Sequence, residues 1–137
     1  NWRAGMMPGT SPSITAVPGG YEVAFQANTG VLWTVGAAGI SNWRAGMMPG
    51  TSPSITAVPG GYEVAFQANT GVLWTVGAAG ITNRALSMMP GTSPSITAVP
   101  GGYEVAFQAN TDALWTVGAA GNTNWQLGIM PRTSPSI

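Results

Sequence analysis

The chain of 137 residues contains no cysteine, no histidine and no lysine. Without cysteine and histidine there are no disulfides, no thiol nucleophile, no ordinary zinc site and no usual general base. Charge is nearly missing too. Only 6% of residues are charged, against roughly a quarter in ordinary domains, so the surface must be built from Ser, Thr, Asn, Gln, Gly and backbone. Four basic residues (Arg3, Arg44, Arg84, Arg132) balance four acids, for a net charge of zero. Arginines spread about one per repeat form no phosphate-neutralising patch, so nucleic acid is not an expected partner. Long apolar runs are lacking as well. Pro and Gly punctuate every stretch well short of the roughly 18–20 residues that span a bilayer, so membrane insertion is not expected either.

What is present is repetition. Residues 1–41 and 42–82 differ only at Ser41 and Thr82. Residues 83–123 keep the frame, and 124–137 begin a fourth copy. The whole chain, 1–137, reads as one array of three repeats and a partial fourth. A strict period in this range means one supersecondary unit used several times, each copy burying its neighbour's face. The chain starts and stops inside a repeat and lacks an initiator methionine. It reads as an excised piece of an array, and the missing leader carries no weight.

Residues 11–47 give the unit. Ser13–Val17 is a short β-prone run ended by Pro18-Gly19-Gly20. Tyr21–Ala27 alternates large apolar with small or polar residues, the period-2 signal of a strand. Asn28-Thr29-Gly30 reads as a three-residue hairpin loop with Gly30 in the left-handed position. Val31–Val35 is the third strand, and Asn42–Met48 is a weaker fourth. The Gly and Pro spacing excludes helices. This register sets Ala27 opposite Val31, Phe25 opposite Trp33 and Val23 opposite Val35. One face is then bulky (Val23, Phe25, Trp33, Val35). The other is thin (Ala24, Thr34, Gly36, with Glu22 and Gln26 at its ends). Bulky against thin is how like units stack without voids.

The expected fold is therefore all-β: four-stranded antiparallel blades of a β-propeller. A β-trefoil is the alternative, but it would leave one face of each repeat solvated. Three blades do not close a ring, so closure by a homo-oligomer, a dimer, is expected. The duplicated ends Asn1–Ile14 and Asn124–Ile137 offer strands for exchange.

The succession Gly9-Thr10-Ser11-Pro12-Ser13-Ile14, Tyr21-Glu22-Val23-Ala24-Phe25, Leu32-Trp33 and Asn42-Trp43 resembles the blade of bacterial propeller lectins of the PLL type. The cadence covers all three repeats. The Thr-Ser-Pro-Ser-Ile strand also looks like that of small bacterial fucose lectins, which build one propeller from several short chains. The resemblance implies a secreted or cell-surface protein that binds fucose or a related sugar between adjacent blades. The third repeat departs from the pattern, with Arg84 and Ala85 where Trp43 and Arg44 stand and Asp112 where Gly30 stands.

Sugar sites pair an aromatic ring with amide or carboxylate hydrogen bonds. The candidates are Trp2, Trp43 and Trp125 on the outer strand, and Trp33, Trp74 and Trp115 on the third strand, where core packing competes. Gln26, Gln67 and Gln108 either bond across a seam or face the ligand. Asn28, Asn69 and Asn110 either shape the hairpin or face the ligand. Glu22, Glu63 and Glu104 are read as inter-blade ion pairs with the arginines. Catalysis is not expected, because glycoside hydrolysis needs two carboxylates and only the third repeat offers a pair, Glu104 and Asp112. No cofactor or metal is expected, and the methionine pairs read as gap-fillers at blade edges. The sequence thus points to a multivalent lectin module with shallow sites at blade interfaces. The alternative is a non-catalytic structural repeat, natural or engineered, that self-assembles symmetrically.

Overall fold

A computed structural model describes residues 5–137. Twelve strands form three separate antiparallel sheets of four, each ordered as the chain runs. The first sheet comprises β1 (Ser13–Val17), β2 (Gly20–Gln26), β3 (Val31–Gly36) and β4 (Gly39–Gly46). The second comprises β5 (Ser54–Val58), β6 (Gly61–Gln67), β7 (Val72–Gly77) and β8 (Thr82–Ser87). The third comprises β9 (Ser95–Val99), β10 (Gly102–Gln108), β11 (Ala113–Gly118) and β12 (Thr123–Gly128). Among the described residues no named strand pairs with a strand of another sheet, as a shared barrel would require. No helix among them is long and apolar enough to cross a membrane.

The central hairpin has the register that its turn chemistry implies. Val23 pairs with Val35 and Phe25 with Trp33, and Ala27 N–H donates to the Val31 carbonyl at 2.9 Å. The bulky faces of the second and third sheets each pack on the thin face of the sheet before. Val64, Phe66 and Val76 of the second sheet meet Ala24 and Leu32 of the first. Val105, Phe107 and Val117 meet Ala65 and Leu73 in the same way. Each large apolar side chain so buried contributes roughly 1.5–3 kcal/mol. That is more than the ~0–1 kcal/mol of an exposed ion pair, so apolar packing holds the stack.

The inner strands lie side by side, β5 between β1 and β9. Serines stitch them one repeat apart. Ser11 N–H donates to Ser52 Oγ and Ser52 N–H to Ser93 Oγ, both at 2.9 Å. In return Ile55 N–H donates to Ser13 Oγ at 3.2 Å. Each connecting segment is clamped from both sides: Met47 N–H reaches Gly30 of the first sheet and Met48 N–H reaches Gln67 of the second. Met47 is buried between the sheets, as a gap-filler should be.

The glutamates are a correction. Glu22 and Glu63 are fully buried, and each accepts one backbone N–H, from Ala38 at 2.9 Å and Ala79 at 3.0 Å. The other oxygen of each has no hydrogen-bond partner. They hold the turn before the fourth strand rather than forming surface ion pairs.

Candidate functional site

The site begins with a bulge. The β3–β4 pairing shifts between Val31 and Trp33, and Arg44 takes a left-handed conformation with φ of 53°. Asn42 stabilises that bend, its Oδ1 accepting the Arg44 N–H at 2.9 Å as Asx turns do. The same bond recurs from Ala85 N–H to Asn83 and from Gln126 N–H to Asn124. An extra residue re-aims side chains. Here it turns Trp43 toward the next sheet and leaves Arg44 exposed beside it.

Trp43 is oriented from two sides. Its Nε1–H donates to Thr34 Oγ1 at 3.0 Å, and the same hydroxyl lies 2.9 Å from the Tyr62 OH. The Trp43 and Tyr62 rings meet edge to face at 6.4 Å, a favoured aromatic geometry. Burial pushes the Tyr62 hydroxyl above its ordinary range; the Thr34 bond opposes this and Glu22 adds to it.

Between the outer parts of the first two sheets lies a cavity of about 280 Å³. Trp43 and Arg44 line one side, and Asn69, Thr70 and Trp74 line the other. Gly46 lets the Asn69 amide lie close against the backbone there; a Cβ would push the amide aside, and Ser87 stands at the same position in the next repeat. The equivalent cavity between the second and third sheets is smaller, about 190 Å³, lined by Asn110, Thr111 and Trp115 but facing Ala85, Leu86 and Ser87. Arg84 has left it. Its guanidinium lies over the Tyr103 ring at 5.4 Å and bonds the Tyr103 hydroxyl, beside a separate cavity of about 280 Å³ at the Gly-Ala turns.

The sequence candidates therefore separate. Trp43, Asn69 and Trp74 converge on one cavity, and Asn110 and Trp115 on its smaller counterpart. Trp33 is half-buried against Phe25 and Val35, Asn28 is exposed in its hairpin, and Trp125 is 52% exposed on β12. Trp2 lies outside the described residues. Gln26, Gln67 and Gln108 are fully buried and line none of these cavities. Gln26 Nε2 donates to the carbonyls of Met48 and Thr51 at 3.2 and 3.0 Å, and Gln67 treats Met89 and Thr92 alike. They take the seam role of their two readings. Glu104 and Asp112 sit toward opposite ends of the β10–β11 hairpin, the former bonded to Ala120 N–H.

Arg44, like Thr70, lines the cavity without being among the sequence candidates. Regular alternation puts it on the face opposite Trp43, and only the bulge brings both to one cavity. The signal was the asparagine two residues before Arg44, Ala85 and Gln126. Neither protein-family models nor curated proteins match this chain.

Proposed function

We propose that the chain is a carbohydrate-binding lectin module, its sheets acting as blades of a β-propeller that presents sugar sites between neighbours. The observation that carries the reading is the cavity joining Trp43, Trp74, Arg44 and Asn69. Two indole rings supply flat apolar surface for a pyranose face. The guanidinium and the amide supply donors, and the amide oxygen an acceptor, for hydroxyls. Its volume of about 280 Å³ lies just below the roughly 300–1,000 Å³ of small-molecule sites, which suits one small neutral sugar of the fucose kind. Weak sites repeated on a rigid array gain strength by number. That use belongs to a secreted or cell-surface protein.

A glycan array followed by calorimetry with the selected monosaccharide tests the reading. Arg44→Ala is the decisive variant. Ala85 already stands at the equivalent left-handed position, φ 56°, so the fold tolerates alanine there. The substitution is expected to weaken binding about tenfold, the equivalent of ~1.4 kcal/mol, without moving the thermal midpoint. Binding that ignores both Arg44→Ala and Asn69→Ala would remove the site.

A second reading, a structural repeat whose role is self-assembly, draws on joints that recur unchanged from repeat to repeat, as from Ser11 to Ser52 and from Ser52 to Ser93. Silence of a well-folded protein across the array would favour it.

A further inference from the structure

Arg84 stands in β8 at the repeat position of Trp43, and this exchange of an indole for a guanidinium puts a charge into the second seam. Of the arginines among the described residues, Arg44 and Arg132 are exposed, whereas Arg84 is half-buried. Its guanidinium covers the Tyr103 ring and donates to the Tyr103 hydroxyl. That hydroxyl then directs its own hydrogen at Thr75 Oγ1, 3.1 Å away. The Arg84 Nε is enclosed and has no hydrogen-bond partner.

Among the described residues no carboxylate bonds this charge. Glu63 acts on Arg84 through space only: one of its oxygens takes the Ala79 N–H at 3.0 Å, and the other has no partner. Burial holds that carboxyl above its usual range, with the Ala79 N–H and Arg84 opposing, so Glu63 is a weak counter-ion. A half-buried cation bonded only to a neutral hydroxyl is uncommon, because charges withdrawn from water are normally paired.

The guanidinium lines the cavity of about 280 Å³ at the Gly-Ala turns, between the second and third sheets. Val58, Pro59 and Ala78 come to it from one sheet, Gly102 and Ala119 from the other. Apart from Arg84 and Tyr103, every lining side chain is aliphatic or a glycine. The cavity thus has one charged end and an apolar body. At the first seam Trp43 brings no charge to this position and spends its one N–H on Thr34.

We propose that this cavity is a second binding site, specific for a short aliphatic carboxylate such as propionate or butyrate. The inference stands whether or not the cavity beside Trp43 binds sugar. The carboxylate accepts from the Arg84 guanidinium, which has five N–H donors and gives one to Tyr103, a pairing that is strong where water is partly excluded. The hydrocarbon body lies on Val58, Pro59 and Ala119. A sugar acid is disfavoured because its hydroxyls would meet aliphatic walls. Phosphate is disfavoured because Arg84 is the one cation lining the cavity, and a dianion would leave a negative charge unanswered.

Titration of propionate into the full chain tests this, followed by amide nitrogen–proton correlation spectra at constant ionic strength. Saturable shifts are expected at the Ala79, Gly102 and Ala119 amides, with acetate weaker and butyrate at least as tight. Non-saturating shifts that follow exposed Arg44 and Arg132 as closely as Arg84 would mean general ion association and overturn the site. Phosphate or glucuronate moving these amides at equal or lower concentration than propionate overturns the assigned ligand. Arg84→Trp restores the residue that the first seam already accommodates. It should weaken propionate binding about tenfold or more, as loss of a charge-assisted hydrogen bond does. Arg84→Gln, which adds no ring to the cavity, should do the same. Undiminished binding in either folded variant overturns the proposal.

Discussion

At the scale of single residues, the chemistry with the clearest solution signature lies in Glu22 and Glu63. Burial raises both carboxyl groups above the usual range; a backbone N–H opposes this in each, and Arg84 also opposes it for Glu63. A raised native value means that the folded chain holds a proton which the unfolded chain has released. The associated stability is fully present below the unfolded glutamate value of about 4.3. It is lost as pH rises through the raised native value. The thermal midpoint should therefore climb on acidification from neutrality. With only four acids in the chain, few other groups mask the trend. Calorimetry at constant ionic strength checks it, and Glu22→Gln with Glu63→Gln should flatten the curve while raising the midpoint at neutral pH. A midpoint that falls on mild acidification would contradict the assignment. The burial was not legible in the sequence, because the partner is a main-chain N–H, which no side-chain pattern announces.

At the scale of elements, the hairpins and bulges carry the local strain. Gly30 and Gly71 occupy the turn at φ of 83° and 84°, and Asp112 adopts 70° in the same place. A side chain in that region costs about 1 kcal/mol. Asp112→Gly should thus stabilise the chain by about that amount in urea unfolding. Gly77 is stricter: at φ of 144° a Cβ would overlap the Tyr62 carbonyl. Gly77→Ala should lose about 3 kcal/mol, as strain that packing cannot relieve does. These turns explain what could be read ahead of the structure. Gly30 marks the hairpin, alternation from Tyr21 to Ala27 fixes its register, and together they gave the bulky and thin faces correctly. Leu32 escaped because it shares the thin face with Ala24 and Thr34 yet is large; it fits as a fully buried member of the first inter-sheet core. The β4 bulge escaped because its strained residue is an arginine rather than a glycine. Half of the cavity's chemistry was hidden with it.

At the scale of the whole molecule, near-identical sheets make unequal seams. The first joins Trp43 and Arg44 to Asn69 and Trp74, and the second has lost its first two partners to Arg84 and Ala85. Restoring them by Arg84→Trp with Ala85→Arg should give Thr75 an indole N–H to accept beside its Tyr103 bond, as Thr34 has from Trp43 beside Tyr62. It should also raise the calorimetric sugar stoichiometry by one per chain. An unchanged stoichiometry with intact folding would show that the outer Trp-Arg pair does not make the site. The serine stitches on the inner strands have a further consequence. Every one spans one repeat or one residue more, so each joint is indifferent to which copies it joins. Unequal crossing-over between copies in the gene would therefore delete or add a whole sheet and leave no mismatched joint behind. Heredity can alter the length of such a protein by whole sheets and keep the serine stitching in register throughout.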